Sequence, residues 1–202
     1  LTKPIFLKDK IVSDVSDTEI REIVQRVLSR TLGQAEEPAE KPAEKAASNP
    51  SDRRVVAIGA DHGGFELKEI LKKDLSQMNY EVIDVGANSK ESVDYPDFAH
   101  EVARLVGSGK AWRGIMIDGA GIGSCMVANK VPGVRAGMAY DYSTAVNGRE
   151  HNDANVLTLG AGLIGVNLAK QIVTTWLTTE FGGGRHAGRV DKIVAVEKQY
   201  LK

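Results

Sequence analysis

From residue 54 onward the sequence alternates between two periods, and this alternation constrains the fold more than any other feature. Short apolar runs recur at Arg54–Ala60 (RVVAIGA), Glu81–Gly86 (EVIDVG), Arg113–Ile117 (RGIMI), Arg135–Tyr140 and Asn155–Gly160 (NVLTLG). Between and after them, Phe65–Met78, Phe98–Val106, Ser124–Lys130, Ser143–His151, Val166–Thr179 and Val190–Lys202 read as helices. The first of these sets Leu67, Ile70, Leu71, Leu75 and Met78 on one side. Strands without a polar face are buried on both sides, and helices between them supply the cover. The expectation is an α/β fold: a three-layer α/β/α sandwich around a five-stranded parallel sheet.

The first 53 residues follow other rules. In 1–33, Ser16-Asp17-Thr18-Glu19 has the form of a capping box, with Val15 and Ile20 at the staple positions. Ile20, Ile23, Val24, Val27 and Leu28 then keep the spacing of one helical face, and Gly33 suits a C-terminal stop. Residues 34–53 (QAEEPAEKPAEKAASNPSDR) have no large apolar side chain and three of the six prolines. Ordering them gains too little burial to offset the entropy lost, so they read as a disordered linker with an r.m.s. span of ~25 Å. The organisation expected is a helical tail (1–33), a linker (34–53) and one catalytic-size domain (54–202). A helix of ~15 residues is marginal alone, so its stripe must dock, either back on the domain, in a dimer, or on a larger assembly.

Composition removes several function classes. Lys and Arg total 26 against 27 Asp and Glu, so no basic excess draws in nucleic acid or an anionic membrane. No apolar run reaches the ~20 residues of a membrane span. A single cysteine, Cys125, excludes a disulfide framework and a multi-thiolate zinc site and fits a reducing, cytoplasmic compartment. His62, His100, His151 and His186 lack metal-ligand spacing, so no metal is expected.

Ligands of parallel sheets bind beyond the carboxyl ends of strands, which selects the loops to read. Asp61-His62-Gly63-Gly64 follows the first strand, where Asp61 either caps the next helix or faces a ligand. Asp118-Gly119-Ala120-Gly121-Ile122-Gly123 follows the third. Its alternate glycines free backbone N–H groups for an anion, or simply make a tight turn. It is neither a dinucleotide fingerprint nor a Walker A loop. Arg149-Glu150-His151-Asn152-Asp153 precedes the fifth strand and holds every hydrogen-bonding type a polyol needs, or forms a polar turn. Arg185 and Arg189, four apart near the C-terminus, suit a phosphate or a solvated basic face.

Five segments together, GADHGGFELK (59–68), VDYPDFA (93–99), GIGSCMVANKVPGVRA (121–136), REHNDANVLTLGA (149–161) and TEFGGGRHAGRV (179–190), resemble the ribose-5-phosphate isomerase B / galactose-6-phosphate isomerase family. The resemblance runs in order over roughly 53–202. It implies a Rossmann-like fold, a homodimer or dimer of dimers with sites built from both chains, and no metal or organic cofactor. It implies an aldose–ketose isomerase acting on a sugar phosphate through an enediolate, with ribose 5-phosphate to ribulose 5-phosphate the leading candidate. By position, His151 resembles the ring-opening group; Asp61, Tyr95, Asn152 and Asp153 would hold hydroxyls. His62, Arg149, Arg185 and Arg189 would take the phosphate. Gly119, Gly121 and Gly123 would present the donors for the enediolate oxygen.

One departure matters. Where many members carry a Cys base this chain has Asp118, and Ala120 stands in place of a Thr; a second subgroup's Glu is replaced by Ser124. Either Asp118 is the base, or the chain is an impaired sugar-phosphate-binding or scaffolding homologue, or its substrate differs. The N-terminal helix resembles the targeting helices of bacterial microcompartment cargo. That resemblance implies a shell or cargo partner for residues 16–32 and a location in the cytoplasm, inside such a compartment.

Overall fold

The computed structural model describes residues 54–200. The tail and linker expected over 1–53 lie outside the described residues. The elements run β1 (Val55–Ala60), α1 (Phe65–Gln77), β2 (Glu81–Asp84), α2 (Tyr95–Gly107), β3 (Arg113–Asp118), α3 (Ile122–Ala128), β4 (Ala136–Met138), α4 (Tyr142–Glu150), β5 (Val156–Gly160), α5 (Val166–Thr178), a 3₁₀ turn (Gly184–His186) and α6 (Ala187–Tyr200). The five strands form one sheet in the order β2-β1-β3-β5-β4, and every pairing is parallel. The α/β reading of the sequence therefore holds, with element ends moved by a few residues. The largest changes are at α6, which begins at Ala187 and not at Val190, and at α2, which begins at Tyr95 and not at Phe98. Pro96 sits in its first turn, where a missing N–H costs nothing.

Strand side chains alternate between two cores. Val56, Ile58 and Ala60 of β1 and Ile115 and Ile117 of β3 pack with Leu71 of α1 and Ile172 and Trp176 of α5. Ala57 and Met116 point the other way, onto Val102, Ala103 and Val106 of α2 and Ala128 of α3. Helix α2 sits so close to the sheet that a Cβ on Gly114 would come within 2.6 Å of Val102. Each core is apolar, and burial at ~25 cal/mol per Å² is what holds the three layers together.

Several charged residues interrupt that pattern, Lys68 most completely. Lys68 of α1 is fully buried, and its ammonium meets Asp84 at 2.7 and 2.8 Å and Glu69 at 3.2 Å. Lys72 joins Asp84 at 2.6 Å. The two ammonium groups outweigh burial and hold the Asp84 carboxyl below its usual range. Asp84 also accepts from Gly86 N, so this network ties the end of β2 to α1.

Strand order reverses between β1 and β3: the chain goes outward from β1 to β2, then returns across to β3. A crevice opens there beyond the carboxyl ends of both strands.

Candidate functional site

Asp61 and Asp118 flank this crevice, the first just past β1 and the second ending β3. Asp61 is buried, and its carboxylate accepts from Gly64 N at 3.0 Å. It thus fixes the start of α1 from its place at the carboxyl end of β1. His62 Nδ1 lies 3.2 Å from both N and O of Val93, which orients its ring toward the α2 approach. Tyr95 opens α2 and lies against the glycine loop: a Cβ on Gly123 would fall 2.5 Å from the phenol.

The loop after β3 has been fitted around Asp118. This carboxylate is only 5% exposed. One oxygen accepts from Ala120 N at 2.8 Å and from Gly121 N; the other accepts from Ser124 N at 3.2 Å and from Ser124 Oγ. Four donors match the four lone-pair sites of a carboxylate. Of the Gly119–Gly123 N–H groups expected to face a substrate oxygen, those of Ala120 and Gly121 are turned, with Ser124 N, onto the chain's own anion. Gly121 permits this with φ 78° and a contact of 2.9 Å to Leu159 that leaves no room for a Cβ. Gly119 is different. Nothing lies within 4 Å of where its Cβ would be, so this position stays open to the crevice. Gly162 N and Ala161 N donate to Gly119 O and Asp118 O and pin the loop to the end of β5.

The remaining sequence-selected residues do not join this group. Helix α4 follows β4 and must return the chain to the start of β5, so His151 lies at the opposite, amino edge of the sheet. Arg113, first residue of β3, donates there to Trp176 O and Leu177 O at 2.8 Å, which places the end of α5 at the same edge. Burial first, then the nearby Arg149, lowers the pKa of Arg113 to about 10. Gly182 N donates to Glu150 O at 2.9 Å and closes the Gly182–Gly184 segment on the end of α4. The six residues of β3 span about 17 Å from Arg113 to Asp118. A five- or six-carbon sugar phosphate is too short to touch both edges of one chain.

At the amino edge two sequence expectations need correction. Arg149, expected to meet phosphate, is buried and donates to Asp153 at 2.8 Å, Ala154 O at 2.6 Å and Thr179 O at 3.4 Å. Asp153, expected to hold a hydroxyl, divides its oxygens between Arg149 and Arg135. Buried polar atoms must find partners, and these two find each other across the turn into β5. Asn152, Arg185 and Arg189 are exposed. His186, which the sequence reading did not select, is buried and stacks on His151 with centroids 4.2 Å apart. Its place between Arg185 and Arg189 in the glycine-rich segment was the available signal. Among the described residues no group of three His, Cys, Asp or Glu side chains is placed for a metal ion, and no helix is long and apolar enough to cross a membrane.

A family model described as Ribose/Galactose Isomerase matches residues 56–193. The chain belongs to the ribose/galactose isomerase family. Its member from Escherichia coli (strain K12), ribose-5-phosphate isomerase B, is 43% identical over 144 residues, covering 71% of this chain and 97% of that one. D-erythrulose-4-phosphate isomerase of Pectobacterium atrosepticum is also 43% identical, over 145 residues, covering 71% and 95%. The solved structure of Clostridium thermocellum ribose-5-phosphate isomerase B superposes with a TM-score of 0.71 at 52% identity, covering 72% of this chain and 99% of that one. This family likeness spans both the Asp118 crevice and the His151 edge. The relatives are covered almost whole by the domain, which leaves the first 55 residues of this chain outside the family match.

Proposed function

We propose that the chain interconverts an aldose phosphate and a ketose phosphate, with ribose 5-phosphate and ribulose 5-phosphate as the leading pair. The observation that carries this reading is the division of the site between opposite edges of the sheet. The Asp118 crevice of one copy faces the His151 edge of a second copy, so the working unit is a homodimer or a dimer of dimers. His151 opens the sugar ring, Asp61, Tyr95 and Asn152 hold hydroxyls, and Arg185 and Arg189 with His62 take the phosphate.

Asp118 then moves the proton between C1 and C2. For this it needs a free lone pair, and Ser124 Oγ is the one donor of its four that can rotate away. The uncovered Gly119 leaves room for the carbon chain beside it, and the enediolate oxygen takes N–H groups that Asp118 does not use.

A second reading is favoured by one specific observation: all four acceptor sites of Asp118 are filled. If Ser124 does not turn, the chain holds a sugar phosphate without isomerising it.

The deciding experiment incubates the full chain with five-carbon and four-carbon aldose and ketose phosphates in D₂O. Isomerisation with deuterium at the transferred position supports the first reading. Binding with no deuterium incorporation supports the second. The sequence reading of 16–32 as a docking segment for a shell or cargo partner is tested beside it. A 54–202 fragment is expected to keep turnover and lose co-purification with a shell.

A further inference from the structure

His151 is half-exposed at the end of α4, and its Nε2 lies 3.9 Å from Glu150 Oε1, beyond hydrogen-bond reach. An imidazole so placed has no hydrogen bond to fix its rotamer. A group that must hand a proton to a sugar ring oxygen needs one. The structure supplies a different restraint. The His186 ring lies face to face with it, centroids 4.2 Å apart and planes within 6° of parallel.

The chain is shaped to put His186 there. Gly183 and Gly184 take φ values of 57° and 52°, two left-handed residues in succession that only glycine adopts readily. They turn the backbone so that the following 3₁₀ turn, closed by His186 N to Gly183 O at 2.9 Å, carries the ring inward. His186 is thereby buried, with 8% of its surface exposed. Arg185 Nε lies 3.5 Å from His186 Nε2, and an arginine N–H can only donate, so Nε2 accepts and the proton sits on Nδ1. That makes His186 a neutral aromatic platform. A second proton would set an N–H against the Arg185 cation, and burial with His151, Arg185 and Arg189 nearby holds its pKa below the usual value, opposed by Glu150.

We propose that His186 is the positioning residue for His151: its neutral ring fixes the plane of the His151 imidazole, and its face supports the positive charge that His151 carries transiently during ring opening. A neutral π-face beneath a cation is favourable, whereas a protonated neighbour would oppose it. This inference rests on the reading of the His151 edge as half of an isomerase site.

The test uses the full chain with His186→Phe and His186→Ala, read by steady-state kinetics on ribose 5-phosphate and by the NMR shift of the His151 Cε1–H. Phenylalanine keeps a flat face and should hold kcat within ~3-fold, while alanine removes the face and should cost roughly 10²-fold in kcat with KM little changed. The His151 signal should keep its upfield ring-current shift in His186→Phe and lose it in His186→Ala. An unmoved His151 signal in His186→Ala overturns the proposal. So does a His186→Phe variant as impaired as His186→Ala with its stack intact, because a nitrogen of His186 would then be acting. If the parent turns over no sugar phosphate, the isomerase reading fails separately, and the NMR comparison still decides whether His186 holds His151.

Discussion

Arg149 and Asp153, one helical turn apart, close on each other at 2.8 Å, and each is otherwise committed to the fold: Arg149 to two backbone carbonyls and Asp153 to Arg135. Removing Arg149 leaves the half-exposed Asp153 with Arg135 but takes the donor from the carbonyl of Ala154. Arg149→Ala should therefore destabilise the domain by ~1–3 kcal/mol, the cost of leaving such a group unpaired, read as a lower urea midpoint at unchanged slope. Arg185→Ala should leave the midpoint alone and weaken a phosphorylated ligand by ~1.5–3 kcal/mol, with little effect on the unphosphorylated sugar. Equal stability losses in both variants would contradict this division of labour.

A pH dependence follows from His186. Its folded-state pKa is lowered, chiefly by burial and then by His151, Arg185 and Arg189. In the unfolded chain the same imidazole takes a proton near pH 6.5. Below that pH the unfolded state binds a proton that the folded state refuses, so the stabilisation present above pH 6.5 is lost as pH falls. The carboxyls of Glu69, Asp84, Glu101 and Asp141 are also lowered, but they act in the more acidic range of ordinary carboxylates. Urea midpoints at pH 7.5 and 5.5 should differ less in His186→Phe than in the parent. An unchanged difference would remove His186 from the pH response.

Gly123 tests the contact between the loop and Tyr95. Alanine suits a helix better than glycine, by up to ~1 kcal/mol in an interior, and Gly123 is the second residue of α3. Yet its Cβ would fall 2.5 Å from the Tyr95 ring, which is 38% exposed and free to swing outward. Gly123→Ala should thus leave stability nearly unchanged while displacing the phenol from the crevice, raising KM for the sugar phosphate. A fall in stability with KM intact would mean that the loop, not Tyr95, gave way.

The sheet was legible in the sequence because β1, β3 and β5 are buried on both faces and carry apolar runs too long and too β-branched to read otherwise. The position of Asp61 and Asp118 at the carboxyl edge was legible because each follows or ends an apolar run that reads as a strand. Three features were hidden by the same physics, the pairing of buried polar groups across long sequence gaps. Lys68 falls among polar positions of α1, and its burial depends on Asp84, sixteen residues away. Arg149 looks like a surface cation until Thr179 O reaches it from the end of α5. His186 shows its role only when the Gly182–Gly184 turn brings it onto His151, thirty-five residues earlier.

The same limit applies to Asp118, where the sequence gives the position and the structure gives the obstacle. Its carboxylate ends β3 beside the open Gly119, as a proton-transfer base should, yet Ala120 N, Gly121 N, Ser124 N and Ser124 Oγ all donate to it. Asp118→Asn keeps the shape but replaces one acceptor oxygen by an NH₂ donor, which must confront either the Ser124 or the Ala120–Gly121 donors. Part of its effect will therefore be on the loop itself, and stability must be measured alongside turnover. Ser124→Ala separates the two effects. It removes the one donor that can rotate, leaves the carboxylate intact and frees a lone pair on Oδ2. If Asp118 is the base, Asp118→Asn should lower kcat by ~10² or more, whereas Ser124→Ala should keep or raise it. Ligand affinity should change little in either variant. Should Asp118→Asn turn over like the parent, Asp118 is a structural anchor for the glycine loop and another group moves the proton.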